Sequence, residues 1–229
     1  MQCVFMRYEL KYLIDREQKE AVLRAMREPM QPDRFGRTSI RNLYYDTPNY
    51  RLARRSIEAP CYKEKLRVRS YARVTDADDT VFVELKKKYQ SVVYKRRLPL
   101  PEGEAMHWTK PRDDSQIAEE ISSFLSFYRE LRPVVFLSYD REAFAGENDL
   151  RITFDENIRF RQTELSLRVD PWGTQLLPPD MTLMEIKCGG GYPLWLAHVL
   201  SENRIYKTSF SKYGRAYQTI FQEEALQYA

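Results

Sequence analysis

YKEKLRVRSYARVTDADDTVFVELKKKYQSVVYKRR, residues 62–97, is the stretch whose reading decides the fold. At a strand period of two, Lys63, Lys65, Arg67 and Arg69 share one face, and Tyr62, Glu64, Leu66 and Val68 share the other. After a turn rich in Asp and Thr, Val81, Val83 and Leu85 alternate with Phe82, Glu84, Lys86 and Lys88. A third run sets Lys95 and Arg97 on one face. Three successive strands therefore carry a cationic face backed by a largely apolar one. A solvated sheet face ordinarily mixes Thr, Ser, Glu and Lys, and like charges opposite one another across a sheet repel. A face made almost purely of Lys and Arg is expected to meet a polyanion, which offsets the repulsion.

Outward from this hairpin the chain reads mostly as strands with helices inserted. Residues 4–14 (VFMRYELKYLI) alternate as a strand, and Asp15 with Gln18 three residues on opens a helix to about Met26. Pro29 and Pro32 follow it; residues 39–46 (SIRNLYYD) are β-prone, Thr47-Pro48-Asn49 is a turn, and RLARRS (51–56) reads as a basic connector. A Pro-bracketed loop spans 99–111. Ile117, Ile121, Phe124, Leu125 and Tyr128 recur at helical spacing within 114–131. Strands return at 133–144, 150–161 and 181–188, followed by a helix starting at Pro193 and a last helix over SKYGRAYQTIFQEEAL. No linker or composition shift divides the chain, so a single α+β domain over 1–229 with a largely antiparallel sheet is expected. About eight strands with polar inner faces would close into a barrel with a wet interior and helices packed outside.

Composition narrows the classes. The formal net charge is only +4, from 37 Lys+Arg against 33 Asp+Glu, so the basicity is local. A nonspecific nucleic-acid coat needs a broader excess, and no nucleic acid is expected as a partner. Cys3, Cys61 and Cys188 make neither a disulfide framework nor a CxxC pair, which favours a reducing, cytoplasmic compartment. The chain runs from MQCVFMRYELKY straight into a strand, without an apolar signal core, and holds no run of about 18 apolar residues, so no span of its own is expected. His107 and His198 are the only histidines, too few for a His-rich zinc site and a poor basis for a Ser-His-Asp triad.

A carboxylate and an ammonium recur two apart on three strands: Glu9-Leu10-Lys11, Glu84-Leu85-Lys86 and Glu185-Ile186-Lys187. At strand spacing both members of each pair point the same way; salt bridges within the sheet are the plain explanation, and a functional face is the other. Carboxylates among many cations suit a divalent metal that prefers oxygen ligands. Lys and Arg suit phosphate oxygens, with Arg able to make bidentate contacts. The loop CGGGY (188–192) is no Walker motif, because no G-K-[ST] follows it.

The ordered set RYELKY (7–12), NLYYDTP (42–48), KLRVRSY (65–71), VELKKK (83–88), YKRR (94–97), SYDREAF (138–144), LRITFD (150–155), MEIK (184–187) and FSKYGRA (210–216) resembles the VTC domain, the polyphosphate polymerase domain within the triphosphate tunnel metalloenzymes. The resemblance runs nearly end to end. It implies an eight-stranded antiparallel tunnel that takes ATP and polyphosphate with Mn2+ or Mg2+. The phosphate-binding, catalytic positions it implies are Lys11, Arg67, Arg69, Lys86, Lys95, Arg141 and Arg151, with Lys212 and Tyr139 beside them on the substrate. Glu185 matches the family's metal-binding glutamate. Glu9, Glu84 and Lys187, the remaining members of the E-x-K pairs, are placed with the substrate. One departure separates branches: related hydrolases and cyclases open with E-x-E-x-K, whereas this chain has Arg7 at the first position. That favours a polymerase over a tunnel triphosphatase, and retention of Glu185 favours catalysis over a non-catalytic polyphosphate-binding module. Eukaryotic members sit in a membrane complex, so a separate membrane partner is a further expectation.

Overall fold

A computed structural model describes residues 8–58, 61–89, 92–107 and 115–227. Residues 4–7 of the first expected strand, Arg7 among them, lie outside the described residues, as do Cys3 and Pro111. Along the described chain run β1 (Tyr8–Ile14), α1 (Arg16–Met26), β2 (Met30–Asp46), α2 (Arg51–Ile57), β3 (Tyr62–Ser70), β4 (Thr80–Tyr89), β5 (Val92–Pro101), α3 (Glu102–Met106), α4 (Gln116–Tyr128), β6 (Arg132–Gly146), β7 (Arg151–Arg161), β8 (Thr174–Gln175), β9 (Thr182–Cys188), α5 (Leu194–Glu202), β10 (Lys207–Thr208) and α6 (Lys212–Gln227).

The class is α+β with an antiparallel sheet, as the alternation of residues predicts. The closed eight-stranded barrel is not what the strands form. Among the described residues ten strands follow the hydrogen-bonded order β10-β1-β9-β7-β6-β2-β3-β4-β5, with β8 paired to β7, and the path ends at β10 and β5 without closing. The two extra strands, β8 and β10, are two residues long, too short to leave any period in the sequence.

The residues group into two compact units. One comprises the described residues of 1–39, 139–158 and 177–210; the other comprises 40–138, 159–176 and those of 211–229. In the first unit Tyr12, Ile14, Ile152, Phe154, Met184 and Ile186 from the strands bury against Val22 and Met26 of α1 and Leu196 and Val199 of α5. In the second, Leu66, Val68, Val81, Val83 and Leu85 bury against Ala118, Ile121 and Phe124 of α4. In each unit the apolar strand faces are the ones that meet helices, and each such side chain contributes about 1.5–3 kcal/mol. The polar strand faces are left for other work.

Local chemistry accounts for the boundaries. The Asp15 side chain accepts from the Gln18 amide, and the Gln18 side chain accepts from the Asp15 amide, so a capping box opens α1. Three expectations need correction. β2 begins at Met30, nine residues before the β-prone run, and tolerates Pro32 near its start and Gly36 at φ +55°; Pro is acceptable early in a strand and Gly where the backbone turns left-handed. The Pro-bracketed loop holds the end of β5 and the short helix α3. The basic connector is the helix α2, and its cap comes from Asp46, beyond the reach of a local reading. The residue preceding α2, Tyr50, sits at φ 54° and makes no side-chain cap. Instead the fully buried Asp46 carboxylate accepts the amides of Leu52 (2.8 Å), Ala53 (2.9 Å) and Thr47 (2.8 Å), and the Tyr213 hydroxyl of α6 (2.7 Å).

Removing that carboxylate strands several buried donors together. Asp46→Ala is expected to lower the unfolding free energy by about 3 kcal/mol, read as a fall in the urea midpoint, with Asp46→Asn recovering part of it. An unchanged midpoint would show that α2 holds without this cap.

Candidate functional site

In the second unit, register builds the site. The Cα pairings align Tyr44, Arg67, Glu84 and Arg97 in one row across β2, β3, β4 and β5. The next row aligns Lys65, Lys86 and Lys95, and the row on the other side aligns Asn42, Arg69 and Phe82. At the centre the Glu84 side chain is buried while Lys and Arg surround it. Arg67 meets Glu84 Oε2 through Nη2 at 2.7 Å and Nε at 2.8 Å; Lys95 Nζ meets Oε1 at 2.7 Å, Arg97 Nε lies 3.4 Å from Oε1, and Arg69 Nε lies 3.8 Å from Oε2. Burial by itself would raise the Glu84 pKa, but the charges of Arg67, Arg69 and Lys95 outweigh it and hold the carboxyl well below the ordinary range.

Neutral acceptors hold the same cations from other sides. Asn42 donates Nδ2 to the Leu137 carbonyl at 2.9 Å, which turns its Oδ1 toward Arg69 Nε, also at 2.9 Å. The Tyr44 hydroxyl accepts from Arg67 Nη1 at 3.0 Å, and the Tyr71 hydroxyl accepts from Arg97 Nη2 at 2.7 Å. Burial pushes both phenols upward, yet nearby guanidinium charge wins and lowers each, from Arg67 and Arg69 at Tyr44 and from Arg69 and Arg97 at Tyr71. Lys212, buried at the start of α6, adds to the positive field at Tyr44. The adjoining Lys65 donates to Ser211 Oγ at 2.8 Å. Burial lowers the Lys63 ammonium first, and the charges of Lys88 and Lys86 lower it further.

The first unit holds a second cluster. Antiparallel pairing sets Glu9 opposite Lys187 and Lys11 opposite Glu185, and β7 continues the rows with Arg151 and Thr153. Two E-x-K motifs thus face each other as a checkerboard. The contacts are long: Lys11 Nζ lies 3.7 Å from Glu9 and 3.6 Å from Glu185, and Lys187 Nζ lies 3.9 Å from Glu9. Lys11 also donates to the Phe210 carbonyl at 2.9 Å. Arg141 makes a bidentate pair with the fully buried Asp155, both contacts at 2.6 Å, and its Nη2 lies 3.5 Å from Glu185. Burial would lower the Arg141 pKa, but Tyr139, Asp155 and Glu185 raise it well above its usual value. The Arg141 guanidinium lies 5.2 Å from the centroid of the buried Tyr139 ring. Arg151 is paired with Asp33 at 2.7 Å.

The residues read from the sequence therefore fall into two groups. Glu9, Lys11, Tyr139, Arg141, Arg151, Glu185 and Lys187 lie in the first unit, and Arg67, Arg69, Glu84, Lys86, Lys95 and Lys212 in the second. Asn42, Tyr44, Tyr71 and Asp155 were not marked by sequence. The alternation of Asn42 and Tyr44 about Leu43 carried a signal, but only register shows which cations they meet. Among the described residues no group of three or more His, Cys, Asp and Glu converges as a metal cage. Mg2+ and Mn2+ are commonly held by one or two carboxylates with substrate phosphates completing the shell. Glu185, with Glu9 on the adjacent row, has the carboxylate count of that kind of site.

The family model described as VTC domain matches residues 6–221. No curated protein matches the chain. Among solved structures, a candidate adenylate cyclase from Bacillus halodurans has a TM-score of 0.55 at 14% identity, over 89% of this chain and 92% of that one. A candidate adenylyl cyclase from Hippeastrum, described as having a dominant triphosphatase activity, has a TM-score of 0.55 at 18% identity, over 91% of this chain and 93% of that one. At these identities the likeness concerns the fold alone.

The Glu84 environment has a pH consequence. A carboxyl held below its ordinary value near 4.5 contributes stability that is complete above that pH and is lost as pH falls through the depressed value. The difference in thermal midpoint between the wild type and Glu84→Gln is expected to be largest near pH 7 and to shrink below about pH 4. A difference that stays constant down to about pH 3 would deny Glu84 this ionic role.

Proposed function

We propose that this chain, which belongs to the VTC domain family, is a polyphosphate polymerase that transfers the γ-phosphoryl group of ATP to the end of a phosphate chain. The observation that carries the reading is the state of the carboxylates on the cationic faces. Glu84 lies among four cations and Glu185 faces Lys11 and Arg141, so neither is a competent base for water. Transfer to a phosphate oxygen needs no base, because the acceptor is already anionic. Its oxygen forms a new bond to the γ-phosphorus while the bond to the β-bridging oxygen breaks, and ADP leaves.

What such a step requires is alignment and neutralisation of charge. In the second unit Arg67, Arg69, Lys95 and Arg97 would bind phosphate oxygens, with Lys86 and Lys65 extending the row. In the first unit Lys11, Lys187, Arg141 and Arg151 would do the same, with Tyr139 backing Arg141. A bound Mn2+ or Mg2+ would add Lewis-acid neutralisation of the phosphate oxygens, with Glu185 as its carboxylate ligand. No helix among the described residues is long and apolar enough to cross a membrane. The Hippeastrum structure's described triphosphatase activity makes hydrolysis the rival outcome.

Purified protein with ATP and Mn2+ is expected to yield a polyphosphate ladder on a gel with stoichiometric ADP. Free phosphate without polymer would assign the protein to hydrolysis. Arg67→Ala is expected to lower kcat/KM for synthesis by about 100-fold while circular dichroism stays native. Near-normal synthesis by a folded Arg67→Ala protein would remove the second-unit cluster from the reaction.

A further inference from the structure

Glu84 stands where a site for polyphosphate has least reason to carry an anion. Its side chain is 1% exposed, and its oxygens occupy the inner side of Arg67 and Lys95. The outer side of the cations remains accessible: Lys95 is 44%, Arg97 35% and Arg67 21% exposed. A phosphate can therefore approach these groups from the open side while Glu84 holds them from beneath. Such an anion does two things at once. It fixes the cations in place before the ligand arrives, and it cancels one unit of their attraction for it.

We propose that Glu84 is a built-in counter-anion, a positioning residue that weakens the hold of the second-unit cluster on polyphosphate so that the product moves on. The inference rests on the reading of polyphosphate as ligand. A chain bearing one negative charge per phosphate, held at many points, leaves slowly unless each point is weak; multi-site binding must permit exit as well as entry. Neutralising Glu84 then has opposite effects on the empty and the occupied protein. Empty, the four cations repel one another and the fold loosens. Occupied, the ligand meets the full charge.

The experiment is calorimetric titration of tripolyphosphate into wild type and Glu84→Gln, without ATP or metal, together with thermal melts. Glu84→Gln is expected to melt lower than the wild type when empty, to bind tripolyphosphate about tenfold more tightly, and to depend more steeply on salt. In steady-state synthesis both kcat and KM for ATP should fall, with the first turnover unimpaired. Glu84→Asp, which retains the charge, should bind within about threefold of the wild type. Simple structural damage has the opposite sign, since a distorted cluster binds less tightly. Equal or weaker binding by folded Glu84→Gln overturns the inference and leaves the functional reading intact. A wild type that binds no tripolyphosphate overturns the functional reading itself. Should Glu84→Gln not fold alone, tripolyphosphate at a concentration saturating for the wild type is expected to restore a cooperative transition, and failure to do so also overturns the inference.

Discussion

Repulsion among cations lined up across neighbouring strands is the constraint on which the second unit depends. Lys65, Lys86 and Lys95 lie opposite one another, and Arg67 and Arg97 flank the same position on β4. Like charges in such rows destabilise a sheet. Stability must come from the opposite face, which explains why Leu66, Val68, Val81, Val83 and Leu85 are so thoroughly buried against α4. The remainder comes from Glu84, placed in the middle of the row rather than at its edge. A surface ion pair contributes little, but a buried carboxylate among four cations is a different object. Removing the cations leaves a buried, unmatched carboxylate, and removing Glu84 leaves partly exposed cations that repel one another.

The same residue types are arranged differently in the first unit, and the difference bears on function. Glu84 is held at 2.7–2.8 Å by Arg67 and Lys95, whereas Glu185 meets Lys11 and Arg141 at 3.6 and 3.5 Å. Arg141 directs its close contacts to Asp155 instead. A carboxylate gripped at short range by several cations serves as a counter-anion. In the proposed function, Glu185, with Glu9 on the adjacent row, would accept a divalent ion together with phosphate oxygens. Two E-x-K motifs of identical local sequence pattern thus acquire different surroundings from their partners across the sheet.

That dependence explains what could be read from sequence. Strand parity correctly separated Arg67 and Arg69 from Leu66 and Val68, because a period of two is a local property. The capping box of α1 was equally local. The cap of α2 was hidden because the accepting carboxylate, Asp46, lies on the preceding strand and also accepts from Tyr213 on a helix far along the chain. The extra strands β8 and β10 were hidden by their length; a closed set of eight was expected, and the described residues form an open sheet of ten. In the site, Lys and Arg announce themselves by type. Asn42, Tyr44 and Tyr71 do not, since an Asn or Tyr on a β-strand is ordinary until register shows a guanidinium opposite it.

Those three quiet residues explain how so many cations could act on one ligand. Lys and Arg side chains are flexible, and immobilising each on binding costs about 0.5–1.5 kcal/mol. Here Asn42 holds Arg69, Tyr44 holds Arg67 and Tyr71 holds Arg97, each through a hydrogen bond to a neutral acceptor. Neutral acceptors restrain a guanidinium without cancelling its charge, which a ring of further carboxylates would do. The ordering cost is thereby met during folding, and the charge that remains is available to phosphate. A cluster built with one central anion and neutral acceptors around it is both fixed and still net positive, the combination that phosphoryl transfer by alignment and neutralisation requires.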